Sequence, residues 1–200
     1  DLERRGLADT TIVVVTSDHG EEFYEHGEFE HDQLHGEHLH VPLMIRLPGG
    51  RRGGTRVSGL TSLIDVMPTV LELLEFEAPS RDAGLADLQG VSLVRAMETG
   101  MTRNLPVLSE RVMFLPDGDY EASLRTSDSH VIWHRARSNL TAFDLGADPG
   151  ESSDVACEAD FFDPAKDELL RFLTGLIRDR DEYDAVDTGA STVMNYPELV

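Results

Sequence analysis

Two apolar runs constrain this chain more than anything else in it. Thr11-Ile12-Val13-Val14-Val15 opens a segment spanning residues 10–47, and Val41-Pro42-Leu43-Met44-Ile45 closes it. β-Branched side chains lose rotamer freedom in a helix and pack well on a pleated surface, so both runs predict strands. The first is continuous rather than alternating, which predicts a strand buried on both faces, as in a parallel sheet covered by helices. Pro42 falls near the start of the second, where a missing N–H is tolerated. Between the runs lie Asp18-His19-Gly20 and five further histidines, His26, His31, His35, His38 and His40, so six of the eight in the chain fall in this one segment. Residues 20–36 are too polar and glycine-rich for a core element and predict a long loop, a feature that is uncommon unless functional.

Charge narrows the partners. The 200 residues carry a net charge of −21, with 16 Arg and one Lys, Lys166. Nucleic acid is excluded as a partner because phosphate binding needs clustered Lys and Arg, and an anionic membrane surface is disfavoured for the same reason. Such acidity with a single lysine fits an organism living in high salt, where self-repulsion is screened. The one cysteine, Cys157, excludes an internal disulfide framework and a zinc ribbon. No run approaches a membrane span and no signal-peptide pattern is present, which leans toward the cytoplasm. The opening Leu2-Glu3-Arg4-Arg5-Gly6 reads as the last turns of a helix with Gly6 after its end, so the sequence reads as a piece of a longer protein.

Beyond residue 47, Pro48-Gly49-Gly50-Arg51-Arg52-Gly53-Gly54 predicts an exposed turn, and residues 57–63 a short strand. Asp65 caps a helix with Pro68 in its first turn, and Met67, Val70, Leu71 and Leu74 on one face. Residues 77–90 predict a loop and residues 91–97 a short helix ended by Gly100. From about residue 105 the pattern changes to short runs at 107–110, 120–125, 129–135 and 140–145, separated by Pro, Asp and Gly. That spacing predicts a small antiparallel sheet. Asp163-Pro164 then begins an amphipathic helix with Leu169, Leu170, Leu173, Leu176 and Ile177 on its apolar face. The expected fold is α/β, a mixed sheet flanked by helices over 1–104, then an antiparallel subdomain with a packed helix over 105–183, and a loose tail over 184–200.

The chemistry-bearing residues start with Asp18 and His19. A carboxylate and an imidazole at the C-terminal end of a strand point into the crevice where open α/β sheets bind ligands, and together they form a metal-ligand pair. A turn-capping Asp beside a surface His is the alternative. His26 and His31, flanked by glycine and acids, are the next candidates, because imidazole can bind metal, shuttle protons or hydrogen-bond an anionic substrate. His35, His38 and His40 lead toward a strand and read as structural. Glu21, Glu22, Glu25, Glu28 and Glu30 read as a solvated face from which one carboxylate could reach a metal.

Several segments together resemble the sulfatase family of the alkaline-phosphatase superfamily. Thr16-Ser17-Asp18-His19-Gly20-Glu21 followed by His31, and His40-Val41-Pro42-Leu43-Met44-Ile45 with Pro48-Gly49, are similar to its central strand, loop and following strand. Asp65-Val66-Met67-Pro68-Thr69-Val70 is similar to its Asp-x-x-Pro-Thr-Leu helix, and Gly90-Val91-Ser92-Leu93 to its Gly-x-Ser-Leu. Phe143-Asp144-Leu145 with Asp148-Pro149-Gly150-Glu151 resembles a C-terminal signature. The resemblance covers about residues 8–175, in family order.

The resemblance implies an alkaline-phosphatase-like fold and sulfuric ester hydrolysis on a small-molecule ester. It implies Asp18 and His19 as ligands of a divalent metal, and His31 as the contact to the substrate's sulfate oxygens, able to assist the leaving group; His26 remains a candidate substrate contact on its place in the loop alone. Calcium is the family's ion, while imidazole at His19 tilts toward manganese or zinc. Two departures stand out. The family's tyrosine shortly after the His31 position is His35 here, and the nucleophile motif Cys/Ser-x-Pro-x-Arg is absent. Cys157 is followed by Glu-Ala-Asp and is not the nucleophile. The 200 residues alone are therefore expected to be inactive. Relatives with Asp-His include phosphonate and phosphodiester hydrolases and phosphoethanolamine-type transferases, which stand as alternatives, as does a non-catalytic truncated relative.

Overall fold

The computed structural model describes residues 1–76, 89–112, 120–137, 139–156, 166–167 and 169–171. Most of the expected 77–90 loop, Cys157, the helix face at Leu173, Leu176 and Ile177, and the 184–200 tail lie outside the described residues. The chain divides into two compact units: Asp1–His31 with Glu37–Val107, and Asp32–Gly36 with the described residues from Leu108 onward. Among the described residues no helix is long and apolar enough to cross a membrane.

In the first unit, a single 3-10 turn at Ala8–Thr10 leads into β1 (Val13–Val15). A hairpin follows, β2 (Glu22–Phe23) and β3 (Phe29–Glu30), then one helical turn, α1 (Gly36–Leu39), and β4 (Met44–Arg46). β1 pairs with β4 antiparallel, with Val14 opposite Ile45. This corrects the expectation of a parallel strand covered on both faces: among the described residues each strand has one neighbour. Val15 and Met44, directly opposite each other, remain 48% and 59% exposed. Residues 57–63 form no strand; Ser58 makes only an isolated parallel bridge to Met101.

The helical part of this unit is tied by side chains to backbone. α2 (Val66–Leu73) follows a 3-10 turn at Leu63–Asp65. Ser62 and Asp65 form a reciprocal capping box around that turn, and the other Asp65 oxygen accepts the Val91 N–H at 2.7 Å. Buried Thr69 donates to the Asp65 carbonyl at 2.6 Å and accepts the Leu93 N–H at 2.8 Å. These bonds fix the entry to α3 (Val94–Thr99), which ends at Gly100 in the left-handed conformation, φ 78°.

The second unit holds the better-formed core. β5 (Val107–Val112), β6 (Tyr120–Arg125), β7 (Ser129–His134) and β8 (Asn139–Asp144) form a four-stranded sheet in sequence order. The described β6–β7 and β7–β8 pairs are antiparallel. Alternation sends Tyr120, Ala122, Leu124, Val131, Trp133 and Ala142 to one face, where Leu169 packs on them. Tyr120 and Trp133 meet edge to face at 5.7 Å. The opposite face is also buried at Ser123, His130, Ile132 and Phe143.

Candidate functional site

The site begins where β1 ends. Ser17 Oγ donates to the His19 carbonyl at 2.7 Å, and the His19 N–H donates to Asp18 Oδ1 at 3.1 Å, which folds residues 17–19 into a tight turn. His19 Nδ1 lies 2.8 Å from the Gly20 carbonyl. A carbonyl can only accept, so Nδ1 carries the proton and Nε2 presents its lone pair outward. Asp18 Oδ2 lies 3.9 Å from that Nε2. The Asp18 carboxyl is held below its usual range by the N–H groups of Asp18 and His19 and by the His19 ring. The His19 imidazole is raised, first by the Gly20 carbonyl and then by Asp18 and Glu21, against partial desolvation.

Gly20 is required by contact rather than by backbone angle. Its N–H donates to the His38 carbonyl at 2.7 Å, and a Cβ there would lie 1.9 Å from the Glu37 carbonyl oxygen. The turn after β1 is thus pressed directly against the α1 backbone.

The β2–β3 hairpin assembles the rest. Glu22 stands opposite Glu30 and Phe23 opposite Phe29. The next pair outward in register is Glu21 and His31, and their side chains do meet, His31 Nδ1 to Glu21 Oε2 at 3.7 Å. His31 stacks on His19 with ring centroids 4.3 Å apart and planes 22° from parallel. His19, Glu21 and His31 therefore each offer a ligand atom, all within 4.8 Å of one another. Ligands about 2.2 Å from one ion lie at most roughly 4.4 Å apart, so these three atoms lie near the spacing a metal site needs, while Asp18 is not among them.

Glu22 is the residue the sequence misplaces most. It reads as solvated and is buried instead. Its Oε1 accepts the His26 N–H at 2.6 Å and the Glu28 N–H at 3.3 Å, with His38 Nε2 at 3.9 Å from the other oxygen. Burial alone pushes the Glu22 carboxyl up, but these N–H groups and the His26 and His38 rings hold it below its usual value. A buried acid thus ties the hairpin tip and base together.

The remaining histidines separate. His26 Nε2 pairs with Glu37 Oε2 at 3.2 Å and is turned away from solvent, apart from the His19–His31 stack. His38 is buried, as its position beside a strand predicts, whereas His40 is exposed, against expectation. His35 belongs to the second unit. Its Nδ1 meets Glu151 Oε2 at 3.1 Å, and the same oxygen accepts the Gly36 N–H at 3.1 Å. Glu151 Oε1 takes Arg125 and, at 3.1 Å, His130 Nδ1. Burial pushes Glu151 up, but His130, His35 and Arg125 together hold its carboxyl far below the usual range. Desolvation lowers His130, whose Nε2 meets no hydrogen-bond partner among the described residues.

The sulfatase family profile matches residues 1–76. Arylsulfatase K of Bos taurus is 32% identical over 177 residues, covering 85% of this chain and 32% of the relative. A solved protein in complex with its substrate D-glucosamine-2-N,6-O-disulfate superposes with a TM-score of 0.68 at 26% identity, over 93% of this chain and 37% of that one. The phosphonate monoester hydrolase of Silicibacter pomeroyi superposes with a TM-score of 0.65 at 28% identity, over 90% and 37%. The chain spans about a third of the length of the curated relatives it matches. Its α/β fold is the alkaline-phosphatase-like fold of these structures. The profile covers the Asp18 turn and the hairpin, the relatives and structures extend the match through the C-terminal sheet, and the chain belongs to the sulfatase family.

Proposed function

We propose that the intact protein is a metal-dependent hydrolase of small-molecule sulfate esters and that residues 17–31 form one side of its active site. The observation that carries this reading is the hairpin register, which sets Glu21 against His31 and stacks His31 on the outward-facing His19 ring. Divalent-metal dependence goes with the family. Asp18 and His19 would hold the ion, with Glu21 within reach as a further carboxylate. A bound divalent ion supplies Lewis acidity toward an ester oxygen. Calcium is the ion the family resemblance implies, but it favours oxygen donors, and a mixed imidazole–carboxylate set suits manganese or zinc better.

His31 is the catalytic side chain in this proposal. Its exposed imidazole can donate a hydrogen bond to a sulfate oxygen and return a proton to the departing alcohol. His26 is the weaker candidate for a sulfate contact, since its ring is committed to Glu37. The 200 residues contain no Cys/Ser-x-Pro-x-Arg, so turnover requires a nucleophile from outside them, and this chain alone is expected to be inactive. Arylsulfatase K and the neighbour bound to a disulfated glucosamine support an aryl or sugar sulfate as substrate.

A second reading, a phosphonate or phosphodiester hydrolase, is favoured by the phosphonate monoester hydrolase neighbour and by the imidazole at His19. Parallel assays of the full-length polypeptide on an aryl sulfate and an aryl phosphonate, with metal supplied, separate the two. The expected result is a higher kcat/KM on the sulfate, with His31→Ala lowering kcat by about 100-fold or more. Preference for the phosphonate establishes the second reading. No turnover of either ester means a non-catalytic relative.

A further inference from the structure

The face of the hairpin that carries Glu21 and His31 continues into aromatic rings. Strand residues two apart share a face, so Glu21 and Phe23 project together, as do Phe29 and His31, while Glu22 between them points inward and is buried. Phe23 is 72% exposed and Phe29, directly opposite, is 64% exposed. Tyr24 extends the same surface, its ring 5.4 Å from that of Phe29, and it does so from a left-handed backbone at φ 84° that only glycine adopts readily. Two residues along a strand is roughly 7 Å. The ring surface therefore begins about one small-molecule width from the His19–Glu21–His31 cluster. Large aromatic side chains held in solvent beside a polar cluster are costly to leave unpartnered.

We infer that Phe23 and Phe29, flanked by Tyr24, form the platform that receives the ring of the substrate's alcohol, while the sulfate group sits at His31. This rests on the reading of the cluster given above and adds what that reading lacks, the part of the site that selects the organic half of the ester. The ligand chemistry it fits is a flat, weakly polar ring face, which an aryl group and the apolar face of a sugar both present. Glu22 anchors the hairpin from the opposite side through its bonds to the His26 and Glu28 N–H groups, so the aromatic residues are free to act in recognition.

The test is a ligand-observed NMR titration of the full-length polypeptide, its nucleophile replaced by alanine to stop turnover, with zinc present, using inorganic sulfate, phenyl sulfate and glucose 6-sulfate. The expected result is that the wild type binds a ring ester about 3- to 10-fold more tightly than inorganic sulfate, and that the double variant Phe23→Ala/Phe29→Ala loses this margin while its Kd for inorganic sulfate is unchanged. A margin lost for phenyl sulfate alone assigns the platform to aryl esters, and one lost for glucose 6-sulfate alone assigns it to sugars. A margin that survives in the double variant overturns the platform and leaves the anion site standing. Failure of the wild type to bind inorganic sulfate overturns the reading of the cluster, and the platform with it. Both phenylalanines are exposed, so the variants are expected to fold; equal melting of variant and wild type checks this.

Discussion

Two histidine–carboxylate clusters in this chain use the same functional groups for opposite ends. Around Glu151 every carboxylate lone pair is engaged: Arg125 and His130 on one oxygen, His35 and the Gly36 N–H on the other. Glu151 itself is buried and sits at φ 54°, a conformation that costs a non-glycine residue roughly 1–2 kcal/mol. Around His19 the groups are exposed, the Asp18 side chain 87% so, and the His19 Nε2 lone pair is left facing outward. Burial with every hydrogen bond made turns a carboxylate into a structural tie. Exposure with donor capacity to spare leaves the same chemistry available to a ligand.

Removing the buried carboxylate is the largest way to break this contrast. Glu151→Ala strands Arg125 and His130 and releases the Gly36 N–H, and the expected loss is about 3–5 kcal/mol, read from the urea midpoint. Acid should reproduce part of it. His130 is held below its ordinary value of 6.5 and Glu151 below its ordinary value of 4.5, so in both cases the unfolded chain binds more protons than the folded one. Both contributions are complete above those values. The stability falls as pH drops below about 6.5 through His130 and falls further below about 4.5 through Glu151. Midpoints measured from pH 7 to pH 4 should decline in the wild type, and the Glu151→Ala variant should lack the lower segment. An unchanged pH profile in the variant would show that Glu151 is not the tie.

Even the exposed cluster has one rigid point. At Gly20 an added methyl would meet backbone at 1.9 Å, which no side-chain rotation relieves. Gly20→Ala should cost about 1–3 kcal/mol by forcing the turn away from α1, whereas an ordinary surface substitution costs within about 0.5 kcal/mol. Thermal melts compare the two. A neutral Gly20→Ala would mean that the turn can swing off α1 freely and that the cluster is not held in register from below.

Legibility in the sequence followed the same divide. The C-terminal strands were readable because their apolar residues alternate and their turns carry Asp, Gly and Pro, as Ala122, Leu124, Val131 and Trp133 illustrate. The place of Asp18 and His19 just past β1 was readable because they follow an apolar run. The β2–β3 hairpin was not, because its polarity is inverted: Glu22 faces in while Phe23 and Phe29 face out. A pattern reader takes acids for surface and so misses both the hairpin and the pairing of Glu21 with His31. The double burial expected of residues 11–15 failed for a different reason, since burial depends on neighbours and the run itself encodes only the preference for a strand. Glu151 was visible only as one letter of a motif; nothing local in the sequence says that it binds His35, which lies 116 residues away.

The smallest expected effect on stability sharpens the comparison most. His19→Ala and His31→Ala remove exposed rings that meet the Gly20 carbonyl, Asp18, Glu21 and each other. Exposed ion pairs and stacks of this kind are screened by solvent and contribute little, so melting should move little. Metal retention should respond very differently. The His19 imidazole is one of a handful of donors, and loss of a ligand weakens a site far more than the 10- to 100-fold that loss of a ligand's supporting hydrogen bond costs, whereas loss of His31, the proposed sulfate contact, should leave the metal in place. The measurement is bound zinc or manganese per chain after dialysis, alongside the melt, for both variants and for His35→Ala as the buried counterpart. Zinc lost with stability kept at His19, zinc and stability both kept at His31, and stability lost with zinc kept at His35, is the outcome that these roles dictate. Zinc retained by His19→Ala would move the candidate metal site away from the end of β1, because that ring is the only one in the cluster whose free nitrogen is fixed by a hydrogen bond to its other nitrogen.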